Sequence, residues 1–96
     1  MEVAAGVPVV VALPETAGAG YTWQVESLPE GARVIGERYE HAAGAGIGAA
    51  SLHVFEIDPG RGGPLRFVHM RPWLGEEGVL ERYAVDVRVS GATAPP

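Results

Sequence analysis

Ser51, His53, Asp58, His69 and Asp86 are the residue types from which a hydrolytic site could be built: a hydroxyl nucleophile, a histidine base and an orienting carboxylate. Such a nucleophile needs a histidine within hydrogen-bond reach and a sharp turn that presents the hydroxyl. No nucleophile-elbow pattern surrounds Ser51, and both histidines fall within predicted strands, where a hydrogen-bonded structural histidine is the more common arrangement. The sequence therefore predicts no catalytic residue, and we do not expect an enzyme.

A metal site is the second kind of chemistry to consider, and its ligands would be His53, Glu56 and His69. Zinc sites use such side chains at characteristic short spacings that these three residues do not show. The chain contains no cysteine, so disulfides, thiol nucleophiles and cysteine-based metal sites are excluded. We predict neither a metal nor another cofactor, and the fold must be stabilised by burial of apolar side chains.

Length and charge restrict the class of protein. The 96 residues suffice for one domain, residues 1–96, in which residues 91–96 form a tail. All 7 basic residues are arginines, against 12 acidic residues. The resulting net charge of -5 makes nucleic acids and anionic membranes poor partners.

The N-terminal segment is rich in small apolar residues, as a secretory signal is, but it lacks a positively charged start. Glu2 stands there instead, and Pro8 and Pro14 interrupt the apolar stretch. No other stretch has the length of a transmembrane helix. From the sequence as written we expect a cytoplasmic protein, although an exported protein whose signal has been removed would have the same sequence.

Alternation of apolar and polar residues predicts six β-strands. The 14 glycines and 8 prolines are spread so that they interrupt every window long enough for a stable helix. The predicted strands cover residues 7–13, 21–27, 33–39, 52–57, 65–70 and 80–89. Short strands separated by turn signals are typical of an all-β, immunoglobulin-like antiparallel β-sandwich, which we expect to have about six to seven strands.

Strand direction decides which loops lie together. Successive antiparallel strands reverse direction, so loops separated by two strands lie at the same end of the sandwich. The first loop (residues 14–20), the second loop (residues 41–49) and the third loop (residues 71–79) therefore share one end, which we call the loop pole. Residues 29–32 and 58–63 share the opposite end. Three adjacent loops at one pole form a binding edge like that of a variable domain.

The third loop carries a tryptophan directly after an arginine and a proline, in Met70-Arg71-Pro72-Trp73-Leu74-Gly75. Pro72 fixes its own φ and favours an extended Arg71, so the segment loses little entropy on meeting a partner. Tryptophan and arginine are enriched at energetically dominant interface positions. Trp73 is thus either a preorganised contact residue or a plug that folds back onto one end of the core, and both interpretations stay open here.

The loops at this pole also contain short motifs. The third loop holds Arg71-Pro72-Trp73, and the first loop is flanked by Leu13-Pro14 and by Gly20-Tyr21. These motifs resemble those of the chagasin family, whose three loops carry Asn-Pro-Thr-Thr-Gly with a following aromatic residue, then Gly-x-Gly-Gly, then Arg-Pro-Trp. The third motif matches in full. The first departs from the pattern, because Thr16-Ala17-Gly18-Ala19 stands in place of Asn-Pro-Thr-Thr and lacks most of its polar side chains.

The second motif has two candidate positions. Gly60-Arg61-Gly62-Gly63 matches it literally, but the strand directions place that turn at the pole opposite the other two motifs. Gly46-Ile47-Gly48-Ala49 lies in the second loop, differs by one methyl group and leads directly into a strand, so we assign the motif there. The resemblance spans residues 6–89. The family usually has a further strand before that region, and residues 1–5 are too short to supply it.

The resemblance implies a reversible, non-covalent inhibitor of papain-like cysteine peptidases that inserts three loops into the active-site cleft. The expected partner is such a peptidase, and the protein is expected to be a monomer or a weak dimer through an exposed edge strand. The implied peptidase-binding residues are Thr16, Ala17, Gly18, Ala19, Gly20, Tyr21, Gly46, Ile47, Gly48, Ala49, Arg71, Pro72 and Trp73.

Structural roles are the alternative for each of these residues. The glycines can serve only as turn residues, Tyr21 and Trp23 as core residues, and Arg71 as one side of a salt bridge at a strand end. The alternative function is a non-inhibitory, immunoglobulin-like module that binds some other protein through the same pole.

Overall fold

The computed structural model describes residues 1–15, 20–41 and 51–90, and within them the chain forms seven strands and one short 3-10 helix. The strands are β1 (Glu2–Ala4), β2 (Val9–Glu15), β3 (Thr22–Ser27), β4 (Arg33–His41), β5 (Ser51–Asp58), β6 (Gly62–Met70) and β7 (Val79–Ser90), and the 3-10 helix is Pro72–Gly78. In this part of the chain, no helix is long and apolar enough to cross a bilayer.

The strands form two sheets. One has the order β1-β7-β6-β3 and the other the order β2-β5-β4. All pairs are antiparallel except β1 with β7, which is parallel. The predicted all-β sandwich is confirmed.

The core lies between the inward faces of the two sheets, as the alternation of apolar residues predicts. Phe55 and Phe67 meet there, with ring centroids 5.2 Å apart. The buried apolar set consists of Val9, Val11, Leu13, Trp23, Phe55, Ile57, Leu65, Phe67 and Val87. Tyr83 departs from the prediction, since its side chain is 41% exposed although it continues the inward face of β7.

The strand registers fix the two poles. Glu15 and His41 both pair with Ser51, and Thr22 and Val79 both pair with Met70. The strand ends that flank all three loops therefore lie at one end of the sandwich. At the other end, Gly60 packs against the backbone of Gly31. This is the arrangement that alternating strand direction predicts.

The N-terminus differs from the prediction, because β1 is a strand where residues 1–5 were expected to be too short for one. Glu2 pairs with Arg88 and Ala4 with Ser90, and Val3 packs against the core. Hydrogen bonds from the Arg88 N–H to the Met1 carbonyl and from the Ala5 N–H to the Ser90 carbonyl hold the segment in place. Three residues are enough to form a strand here, because the edge of β7 is already formed and can accept their hydrogen bonds.

The first and third loops also differ from the prediction. β2 begins at Val9, leaving Val7 exposed, and continues through Pro14 to Glu15. Pro14 is tolerated because β2 is an edge strand, where a missing N–H breaks no ladder hydrogen bond. The third loop, expected to lack regular structure, forms the 3-10 helix.

Candidate functional site

The third loop presents Trp73 to solvent. The base of the loop is closed by a hydrogen bond of 3.0 Å from the Arg71 N–H to the Gly78 carbonyl, and the Leu74 N–H donates to the Arg71 carbonyl. Pro72 opens the helix, where its missing N–H costs nothing. Trp73 is 68% exposed, so the hypothesis that it folds back as a plug for the core is wrong.

The indole of Trp73 lies against the end of the first loop. A Cβ placed on Gly20 would stand 2.8 Å from Cη2 of Trp73 and 3.5 Å from Nε of Arg71. Gly20 also has a φ of +85°, which side-chain-bearing residues rarely adopt. Only glycine leaves room for this contact, which joins the first and third loops.

Tyr21 and Arg71 form a stack behind Trp73. The guanidinium carbon of Arg71 lies 4.4 Å from the Tyr21 ring centroid, a cation–π distance. Tyr21 in turn packs on His69, with ring centroids 5.6 Å apart. Trp23 lies parallel to His69 at 4.6 Å. Trp23 is a buried core residue, whereas Tyr21 is half-buried and supports Arg71 at the surface.

His69 was expected to be a hydrogen-bonded strand histidine, and that expectation is wrong. It is buried, yet neither ring nitrogen makes a hydrogen bond with any of the described residues. The Glu81 carboxylate lies 3.7 Å from Nδ1. His69 therefore contributes to the pole by stacking on Trp23 and packing against the tilted ring of Tyr21.

Glu15 connects the two sheets at the base of the first loop. Its Oε1 accepts hydrogen bonds from the Trp23 N–H at 2.8 Å and the Thr22 hydroxyl at 3.2 Å, and it lies 3.0 Å from Nδ1 of His53. Burial would raise the pKa of Glu15, but the hydrogen bonds from Trp23, His53 and Thr22, with the charge of His53, together outweigh burial and lower it. The indole N–H of Trp23 also donates to the Pro14 carbonyl.

His53 extends this network to β4. Its Nε2 lies 2.6 Å from a carboxylate oxygen of Glu37, so carboxylates face both ring nitrogens of a buried imidazole. Both contacts are hydrogen bonds to ionised carboxylates only when both nitrogens carry a proton, in the imidazolium form. Tyr39 packs on the imidazole at 4.3 Å. The expected hydrogen-bonded role of His53 is confirmed.

The residues considered for hydrolysis or metal binding do not converge. The Ser51 hydroxyl donates to the Glu15 carbonyl, and Asp58 lies at the opposite pole near Arg33. Glu56 projects from the face of β5 opposite His53, toward Arg38. Among residues 1–15, 20–41 and 51–90, no group of three or more His, Cys, Asp and Glu residues is placed to hold a metal ion.

Five of the predicted contact residues lie within the described structure, and they are grouped at the loop pole: Gly20, Tyr21, Arg71, Pro72 and Trp73. Two predicted segments lie outside the described residues, namely Thr16, Ala17, Gly18 and Ala19 of the first loop and Gly46, Ile47, Gly48 and Ala49 of the second. The literal Gly-x-Gly-Gly match, Gly60 to Gly63, lies at the opposite pole, where Gly63 packs against Pro29.

Sequence reasoning missed Glu15 and Glu37 as residues that organise the pole. A signal for Glu15 was present, because it continues the inward alternation of Val9, Val11 and Leu13 and so places a carboxylate on a buried face. A carboxylate on such a face requires hydrogen-bond partners. The identity of those partners depends on which strands pack together.

A model of a known protein family matches most of the chain. The model of the chagasin family peptidase inhibitors I42 matches residues 2–87 of the 96-residue chain. No curated protein matches the chain. The matched segment begins in β1 and ends within β7, so it includes six strands in full, most of β7 and the loop pole. The chain therefore belongs to the chagasin family of peptidase inhibitors.

Proposed function

We propose that this peptidase inhibitor acts on papain-like cysteine peptidases by placing its loop pole in the active-site cleft. The observation that carries the proposal is the arrangement at the pole, where an exposed Trp73 rests on Gly20 beside an Arg71 stacked on Tyr21. An exposed tryptophan held in one position is a costly feature for a protein surface unless a partner covers it.

Inhibition of this kind needs no chemistry by the inhibitor itself. A wedge of loops covers the catalytic cysteine and histidine of the peptidase without offering a scissile bond in reactive alignment. Trp73 would stack on an aromatic side chain beside the primed subsites and contribute about 0.5–1.5 kcal/mol beyond its buried area. Arg71 and Trp73 are already packed against Tyr21 and Gly20, so little side-chain entropy is lost on binding.

The remaining loop residues enter the proposal through the family resemblance. Thr16, Ala17, Gly18 and Ala19 would cover the catalytic centre, and Gly46, Ile47, Gly48 and Ala49 would run along the non-primed subsites. Glycine and alanine suit these positions because short side chains let the backbone approach a narrow cleft and pair with it as a substrate does.

The test is a titration of papain and a cathepsin L-type peptidase with the protein, following hydrolysis of a small fluorogenic substrate. We expect competitive inhibition that Trp73→Ala weakens by at least about tenfold, the loss typical of a dominant interface aromatic. Tyr83→Ala is the matched control, since it removes another partly exposed aromatic from β7 and should leave inhibition unchanged.

Two results would contradict the proposal. One is the absence of inhibition at micromolar concentrations of a protein shown to be folded. The other is equal inhibition by Trp73→Ala and wild type. The first would leave the non-inhibitory module that binds other proteins as the better account, and the second would place the inhibitory contact away from Trp73. Complex formation with a peptidase whose catalytic cysteine carries a small alkyl group should persist, because the proposed contact is non-covalent.

A further inference from the structure

Arg82 forms a charged bridge on the outer face of the sheet that contains β3, β6 and β7. Its Nε donates to both carboxylate oxygens of Glu26, at 3.2 and 3.1 Å. Its Nη2 lies 2.8 Å from both oxygens of Glu76 in the 3-10 helix. The hydrogen bonds with Glu76 and then Glu26 raise the pKa of Arg82. A guanidinium is charged at any working pH in any case.

A groove of about 290 Å³ lies where the helix meets the sheet, lined by Gln24, Val68, Met70, Gly75 and Arg82 among others. Within the helix, Gly75 has φ 60° and ψ -141°, which separates the turn with Trp73 from the turn with Glu76. The second turn is held by the bond from the Arg71 N–H to the Gly78 carbonyl and by the Arg82–Glu76 pair, both of whose members line the groove.

We infer that Arg82 and Glu26 are positioning residues for the third loop, holding Glu76 and through it the helix that presents Trp73. This inference rests on the proposed function, since it concerns the same contact surface. Arginine suits the role because its planar fork binds two carboxylates at once, which the single ammonium of lysine cannot do with the same geometry.

The first test uses the free protein and needs no peptidase. Acrylamide preferentially quenches the exposed Trp73, because Trp23 is only 3% exposed, so the difference between the signals without and with acrylamide reports Trp73. Time-resolved anisotropy should show faster local motion of Trp73 in Arg82→Gln and Glu76→Gln than in wild type. Glu77→Gln is the matched control, because it removes an equal charge from the same helix and should leave the anisotropy decay unchanged.

The second test measures the inhibition constant. Arg82→Gln and Glu76→Gln should each weaken inhibition about two- to fivefold, the range for a partly exposed charge network. The double variant should inhibit as well as either single variant, because both substitutions remove the same contact. In a Trp73→Ala background, Arg82→Gln should have no further effect, because its contribution passes through Trp73. A residue that only stabilised the fold would keep its effect in that background.

The outcomes separate the two proposals. Unchanged anisotropy and unchanged inhibition in Arg82→Gln would overturn the positioning role, as would an effect that persists undiminished in Trp73→Ala. If wild type fails to inhibit any papain-like peptidase, the proposed function falls. In that case the anisotropy of the free protein alone tests whether Arg82 positions the third loop.

Discussion

At the residue scale, the pole depends on one glycine. Gly20 combines a positive φ with a close approach to the Trp73 ring, so a side chain there meets two separate obstacles. Gly6 has nearly the same φ, +83° against +85°, but open space around it. Substitutions at the two positions therefore distinguish the effect of backbone strain from the effect of a steric clash with Trp73.

We expect Gly20→Ala to displace Trp73 and to weaken peptidase inhibition, whereas Gly6→Ala should leave inhibition unchanged. Both variants should lose about 1–2 kcal/mol of the free energy of unfolding, because alanine tolerates a left-handed conformation poorly. Urea denaturation and the titration described above measure the two effects. Equal inhibition by both variants would show that the contact between Gly20 and Trp73 has no role in binding.

At the scale of secondary structure, the end of β2 is fastened to β3 and β5 through the Glu15 carboxylate. The bonds from Trp23, Thr22 and His53 favour the ionised form, so the pKa of Glu15 is lower in the folded protein than in the unfolded chain. A lowered carboxyl pKa adds stability that is present above the unfolded value, about 4.5, and is lost as the pH falls through the folded value.

We expect the free energy of unfolding of wild type to fall as the pH decreases below about 4.5, the ordinary glutamate value. Glu15→Gln should lose about 1–3 kcal/mol at neutral pH, because its amide cannot accept every hydrogen bond that the carboxylate accepts, and it should show a smaller dependence on pH. Urea denaturation between pH 3 and pH 7, about the range over which carboxylates titrate, measures both.

Glu30→Gln is the control for this prediction, since Glu30 is an exposed residue in a turn. It should retain both the stability and the pH dependence of wild type. If the stability of Glu15→Gln falls as steeply as that of wild type when the pH is lowered, the pH dependence cannot be assigned to Glu15.

At the scale of the whole molecule, two aromatic residues have opposite roles. Phe67 is fully buried, contacts Phe55 across the sandwich and Tyr83 on the neighbouring strand, and so joins the two sheets. Trp73 is exposed at the pole and contributes little to the core. Under the proposed function, stability and binding would therefore depend on different aromatic residues.

We expect Phe67→Ala to lose about 3–5 kcal/mol of the free energy of unfolding, a large part of the total for a domain of this size. Trp73→Ala should stay within about 0.5 kcal/mol of wild type, since it leaves no cavity. Thermal and urea denaturation of both variants provide the comparison. A large loss of stability in Trp73→Ala would mean that Trp73 has a packing role, and its effect on inhibition could no longer be assigned to the contact.

Much of the fold could be predicted from local patterns. Alternating residues in β2, β5 and β6 identify the core, because a pleated strand turns every second side chain to the same face. Strand direction then places the first and third loops at one pole. The limits of β2 and the presence of β1 could not be predicted, because the edge of β7 that accepts β1 is remote in sequence.

The sequence by itself determined the all-β sandwich, the position of the Arg71-Pro72-Trp73 motif and the resemblance that the family match then confirmed. Only the tertiary structure decided that Trp73 faces solvent against Gly20, that Glu15 and Glu37 face both nitrogens of His53, and that Arg82 spans from β3 to the helix. The physical reason is the separation in sequence between the residues that make these contacts. Alternation and turn chemistry are encoded in neighbouring residues, whereas each of these contacts joins side chains from different strands or loops, whose positions exist only after the sheets have paired.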